Sequence, residues 1–148
     1  MYRKILVPID GSATSNAGLA EAIRLAASQQ SALRLVHVAE DFKLVPGAEA
    51  VVYLGDTIDL MRESGKQILA QGEALARAAG LAPESVLRET VGGRAATLIV
   101  DEARTWGADL IVLGTHGRRG FERLIMGSDA EEIVRTTPVP ILLVRTQR

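Results

Sequence analysis

Five short apolar runs separated by longer amphipathic stretches set the strongest limit on how this chain folds. They occupy residues 4–9, 32–38, 86–91, 109–114 and 139–144. Strands alternating with helices along one chain are the order of a parallel sheet whose helices cover both faces. Three of the runs, Ile5-Leu6-Val7, Leu110-Ile111-Val112-Leu113 and Ile141-Leu142-Leu143-Val144, are apolar without alternation, as strands buried on both faces are. These three are expected to be central or covered. Val86-Leu87-Arg88-Glu89-Thr90-Val91 carries two charges in mid-run and suits a sheet edge.

The stretches between the runs have the helical period. Leu19, Ile23 and Ala26 share one face after the first run, and Leu98, Ile99, Ala103 and Trp106 share one before the fourth. Ile58, Met61, Gly65, Ile68, Gly72, Leu75 and Ala79 recur at spacings of three and four, and Gly80 stands where such a helix stops. The two glycines in that stripe, and the lack of further heptads, favour close packing on a sheet over a coiled coil. Residues 42–55 hold Pro46, Gly47 and Gly55 without a clean period and are expected to form a loop or flap leading into this helix. The expected fold is therefore α/β, one domain over residues 1–148, with a doubly wound five-stranded parallel sheet and helices on both faces. Sheets of this kind bind ligands beyond the carboxyl ends of their strands, at a topological switch point. That rule directs attention to Asp10, Val38 and Gly114.

Composition removes several classes of function. The chain has no cysteine and only two histidines, His37 and His116, so disulfides, thiol chemistry and Cys- or His-rich zinc sites are not expected. Its 17 Lys and Arg against 18 Asp and Glu give no broad basic field for nucleic acid or an anionic membrane. Tyr2, Phe42, Tyr53, Trp106 and Phe121 are all the aromatics, too few for a base-stacking surface. Met1-Tyr2-Arg3-Lys4 runs straight into Ile5-Leu6-Val7-Pro8, an apolar run too short for a signal-peptide core or a membrane span, so the cytoplasm is the expected compartment.

The residues after the fourth run carry the chemistry. Gly114-Thr115-His116-Gly117-Arg118-Arg119-Gly120 is followed by Gly127-Ser128, which opens the last helix. Glycines let backbone amides approach phosphate oxygens and permit left-handed turns that gather those amides into an anion-binding nest. Ser128 at a helix N-terminus adds unpaired amides and the positive end of the dipole, with Arg118 or Arg119 as supplementary charge. A plain turn and helix cap is the competing reading, because Ser128-Asp129-Ala130-Glu131 is also a capping box. Asp10-Gly11-Ser12 is likewise turn chemistry by itself. His37, inside a strand, is expected to be packed or hydrogen-bonded rather than a base, and His116 to position its loop. There is no Walker loop, no dinucleotide fingerprint after the first strand and no Gly-x-Ser-x-Gly elbow.

Gly114, two residues, Gly117, nine residues, then Gly127-Ser128 resembles the signature of the ATP-binding branch of the universal stress protein family. Ile5-Leu6-Val7-Pro8-Ile9-Asp10, Leu35-Val36-His37-Val38 and Pro138-Val139-Pro140-Ile141-Leu142-Leu143-Val144 resemble that family's strands in order, so the similarity spans essentially the whole chain. The resemblance implies an adenine nucleotide α-hydrolase-like fold and ATP as ligand. It places Asp10 beside the adenosine, the Val38 backbone at the adenine, and Gly114, Gly117, Gly127 and Ser128 at ribose and phosphates, with Pro8, Leu113, His116, Arg118 and Asp129 among the surrounding contacts. It further implies a nucleotide-dependent regulator in stress responses, with an unidentified protein partner, that forms a homodimer through Val139 to Val144. Nucleotide occupancy is expected to order the segment between Gly114 and Ser128, and any ATP hydrolysis to be slow. A slow Mg2+-dependent ATPase and a nucleotide-independent dimeric module remain as alternatives. A phosphoacceptor receiver is disfavoured because one Asp alone follows the first strand and no lysine follows the fifth. Asp129 departs from the small or aliphatic residue usual in the family; its side chain either turns away to cap the helix or holds a Mg2+ bridged to the phosphates.

Overall fold

The computed structural model of the chain describes residues 1–40, 50–90, 92–115 and 126–146, with side chains described from residue 57 in the second stretch. The elements run β1 (Lys4–Pro8), α1 (Ala13–Gln29), β2 (Ala32–Glu40), α2 (Ala50–Ala78), β3 (Glu84–Thr90), α3 (Ala95–Trp106), β4 (Leu110–Thr115), α4 (Ser128–Thr136) and β5 (Ile141–Arg145). The strands are parallel and ordered β3-β2-β1-β4-β5, so the chain lays its first three strands outward from β1 and then crosses to the other side with β4. This is the expected doubly wound sheet, and its switch point lies at β1 and β4. Among the described residues, no helix is long and apolar enough to cross a membrane.

Alternation along the inner strands divides the core into two layers. Ile5, Val7, Leu33, Leu35, Leu110 and Val112 face α1 and α2, where Leu19, Leu69 and Ala76 meet them. Leu6, Val36, Ile111 and Leu113 face α3 and α4, where they meet Ile99, Val100 and Ile133. Side chains such as Ile5, Leu6 and Ile111 are fully buried, and each contributes roughly 1.5–3 kcal/mol by leaving water. Two close approaches bring α1 against the end of β4. A Cβ on Gly114 would sit 1.7 Å from the Thr14 carbonyl oxygen, and one on Gly18 would sit 2.8 Å from the Gly114 nitrogen.

β3 lies at the sheet edge, and its two mid-strand charges go to opposite faces. Arg88 reaches Glu102 of α3 at 2.8 Å, while Glu89 pairs with Arg62 of α2. Glu102, only 5% exposed, also accepts from Arg34 at 2.7 Å, and the Arg34 guanidinium lies 4.6 Å from the centre of the Trp106 ring. Charges buried this way are tolerable only when paired.

The structure corrects four expectations. Residues 50–55 begin α2 rather than ending a loop; the remainder of that expected flap, residues 42–49, lies outside the described residues. Packing of the long amphipathic helix downstream overrides the local cost of Gly55. The buried stripe of α2 runs through Gly65, Leu69, Gly72 and Ala76, leaving Leu75 57% exposed, because a true 3.6 period drifts away from the stripe read in the sequence. β5 lies at the other sheet edge, as the family resemblance implies for the homodimer strand, but Ile141 through Val144 are half-buried there rather than buried on both faces. Finally, Gly127 rather than Ser128 is the N-cap of α4, and among the described residues no side chain caps that end.

Candidate functional site

A cavity of about 780 Å³ opens above the carboxyl ends of β1, β2 and β4, at the switch point. That is within the range of pockets that hold small ligands. Pro8, Asp10, Val38, Leu113, Gly114, Gly127, Ser128 and Asp129 all line it, so residues far apart in sequence are brought to one place. His116, Gly117 and Arg118 lie outside the described residues. The α2 side is closed by Met61, Ser64 and Ile68, with Leu60 at the rim and 71% exposed.

The corner between β1 and α1 satisfies its own polar groups. Gly11 adopts φ +80°, turning the chain so that the Ser12 N–H donates to Asp10 Oδ1 at 2.8 Å. The Ser15 N–H donates to the Ser12 hydroxyl at 3.2 Å, which caps α1, and the Asp10 N–H donates to the Ser15 hydroxyl at 3.2 Å. Burial raises the affinity of the Asp10 carboxyl for its proton. The hydrogen bonds from Ser12 and Ser15, with a smaller electrostatic contribution from the nearby His37 ring, outweigh that and hold it below the ordinary carboxylate value. Turn chemistry and a place in the cavity are thus both true of Asp10.

At the start of α3 the protein also supplies its own acceptor. Arg94 is the N-cap and makes no side-chain cap bond, but Glu40, from the end of β2, accepts from the Ala95 N–H at 3.1 Å. Glu40 lines the cavity and was not singled out in the sequence, because β2 continues two residues past the apolar run that marked it. Arg94 in turn pairs with Glu132 of α4.

The start of α4 differs. Gly127 has φ −64°, an ordinary extended-side value, so the left-handed turn expected at this glycine is not formed, and a Cβ there would meet nothing within 4 Å among the described residues. Among the described residues no side chain caps the helix, and Asp129 and Glu131 stand in its first turn. Partial burial, then Glu40, Glu132 and Asp10, push the Asp129 carboxyl above its ordinary value, while Arg94 opposes them. Gly114 has a structural reason of its own to be glycine, namely the approach of Thr14, apart from anything a ligand requires. Among the described residues, no three His, Asp or Glu side chains converge to hold a metal by themselves.

The floor is an exposed strand edge. The Ile9 N–H donates to the Val36 carbonyl at 2.9 Å, so Val36 directs its backbone groups towards β1. Residues two apart on a strand point the same way, which aims the Val38 N–H and C=O at the space above the end of β1. Among the described residues, neither group is hydrogen-bonded. His37, whose backbone faces β3, sends its ring across to the Ile9 carbonyl, with Nδ1 at 2.7 Å. It is the hydrogen-bonded strand residue expected.

Comparison with known proteins agrees with this architecture. The family model described as "Universal stress protein family" matches residues 1–145. This chain belongs to the universal stress protein family. Universal stress protein MJ0531 of Methanocaldococcus jannaschii is 31% identical over 98% of this chain and 83% of its own length. The crystal structure of a universal stress protein family member from Burkholderia pseudomallei, 31% identical, covers 97% of this chain and 96% of its own with a TM-score of 0.77. A universal stress protein crystallised in complex with cAMP is 25% identical, covers 99% of both chains and has a TM-score of 0.67.

Proposed function

We propose that the cavity is an adenine nucleotide site, with ATP as its ligand, in a protein that regulates through occupancy rather than turnover. The observation that carries this reading is the free backbone edge of Val38. A donor beside an acceptor on one strand edge complements the adenine edge, which offers the N1 lone pair next to the N6 amino hydrogens. Guanine presents N1–H and O6 instead, so the same edge opposes it. Two of the three helix N-termini at the cavity are already filled by Ser12 and Glu40, whereas that of α4 has no side-chain cap among the described residues. Unpaired amides and the helix dipole there suit the phosphates, with Gly127 and Ser128 as nearest residues. Asp10 stands beside the ribose in this reading. The complex of a 25% identical family member with cAMP supports an adenine nucleotide in general.

Asp129 is the carboxylate placed to share a Mg2+ with the phosphates, since that ion takes one or two protein carboxylates together with phosphate oxygens. The half-buried apolar edge of β5 is the surface for a homodimer through residues 139–144, because pairing with a two-fold mate removes an edge that otherwise invites aggregation. Calorimetric titration with ATP tests the ligand reading: saturable binding at micromolar to low millimolar ATP is expected, and absence of heat across that range contradicts it. Light scattering tests the assembly, where a monomer at tens of micromolar, with and without ATP, removes the dimer.

A further inference from the structure

The geometry points to His37 as a positioning residue that keeps the Val38 N–H available for the ligand's base; this rests on the adenine reading above. The β1–β2 register pairs Pro8 with Val36, which sets Ile9 opposite His37. In a regular parallel ladder, Ile9 then donates to the Val36 carbonyl and accepts from the Val38 N–H. The first bond is present at 2.9 Å; the second is not among the hydrogen bonds of the described residues. In its place the His37 ring holds the Ile9 carbonyl, Nδ1 to O at 2.7 Å. A carbonyl oxygen only accepts, so Nδ1 carries the proton and this contact fixes the tautomer.

The ring has little freedom to leave. A Cβ at Gly65 of α2 would come within 2.7 Å of His37 Cδ2 and 3.3 Å of Nε2, so the imidazole is clamped between β2 and the bare backbone of the helix. Glycine at 65 makes room for the ring, the ring occupies the Ile9 carbonyl, and the ladder ends one hydrogen bond early. The N–H that the ladder gives up is the donor the base requires. A packed histidine without this role would fill the same space and leave the Val38 amide indifferent to its identity.

Amide hydrogen exchange by NMR, with calorimetry of adenosine and inosine, tests this on the full chain. In the wild type free of ligand, the Val38 amide exchanges at least about tenfold faster than that of Val36, which lies inside the ladder, and becomes protected on adding adenosine. In His37→Leu, the Val38 N–H closes onto Ile9 and is protected without ligand, while the preference for adenosine over inosine falls roughly tenfold, the worth of one hydrogen bond. His37→Asn restores an N–H donor near the Nδ1 position and returns both readouts towards wild type. A protected Val38 amide in the free wild type, or an exchange rate unchanged in His37→Leu, overturns the role of His37. Failure of adenosine to bind the wild type overturns the adenine reading alone, and the exchange comparison still decides what His37 does.

Discussion

The β1–α1 corner and the start of α4 face each other across one cavity, and both offer a helix N-terminus and an aspartate, yet they are finished differently. Ser12 caps α1, and Asp10 is held by Ser12 and Ser15, so that corner is complete within the chain. Its carboxyl is drawn down. At α4 the N-cap is a glycine without a side chain, and Asp129 is pushed up by burial and by Glu40, Glu132 and Asp10. The first corner is a structural joint whose polar groups happen to border the cavity. The second, among the described residues, has no side-chain cap and gathers carboxylates, and in the proposed reading a phosphate with its cation completes it.

The largest expected effect comes from collapsing the joint. Gly114→Ala drives a Cβ into the Thr14 carbonyl and is expected to destabilise the protein by about 3 kcal/mol or more, read as a fall in the thermal midpoint. Gly127→Val is its counterpart on the open side. Its Cβ meets nothing among the described residues, and φ −64° suits any residue, so the thermal midpoint should hold while ATP affinity falls roughly a hundredfold, about 2.7 kcal/mol, if the phosphates sit against this backbone as proposed. A midpoint that falls with the affinity would erase the distinction between the two corners.

Asp129→Asn sharpens the contrast. A unit charge ~6 Å from a phosphate at an effective dielectric of ~20 repels by roughly 3 kcal/mol, reduced to about 1 by salt, so with chelator the variant should bind ATP several-fold more tightly while adenosine affinity stays level. If Asp129 bridges Mg2+, chelation costs wild type more affinity than Asp129→Ala; equal losses remove it from the metal site. Ser12→Ala, at the completed corner, is expected to lose about 1 kcal/mol of stability from the missing cap.

The smallest effect is one of sign. The Asp10 carboxyl is lowered on folding, so its contribution to stability is present above the unfolded pKa and is lost as pH falls through the lower folded value. Asp129 is raised, so the folded state binds the proton more tightly, and stability declines as pH rises from the unfolded towards the folded value. Asp10→Asn should therefore weaken the protein at neutral pH and Asp129→Asn should strengthen it. Denaturant midpoints measured across the acid range decide the matter, and equal signs would contradict the assignment.

Much of this was legible in the chain. Non-alternating Ile5-Leu6-Val7 and Leu110 to Leu113 are the central strands, and the charges of Arg88 and Glu89 mark an edge, because burial of a strand's two faces is written directly in its residues. The same rule misjudged β5, whose apolar residues lie on a half-covered edge, since composition does not say what covers a strand. Ser128 read as a cap because its sequence has the box pattern; in three dimensions the helix starts one residue earlier than a serine cap requires. Glu40 stayed hidden in a strand longer than its apolar run. The free edge of Val38 depends on register between β1 and β2, which no local pattern carries.

Paired titration of the purified protein with adenosine and guanosine tests the central claim most directly, because it isolates the base from the phosphates. Saturable adenosine binding is expected, with guanosine binding at least about tenfold weaker, the difference a reversed donor and acceptor at Val38 should make. Equal affinities for the two nucleosides, or binding of neither, would contradict it.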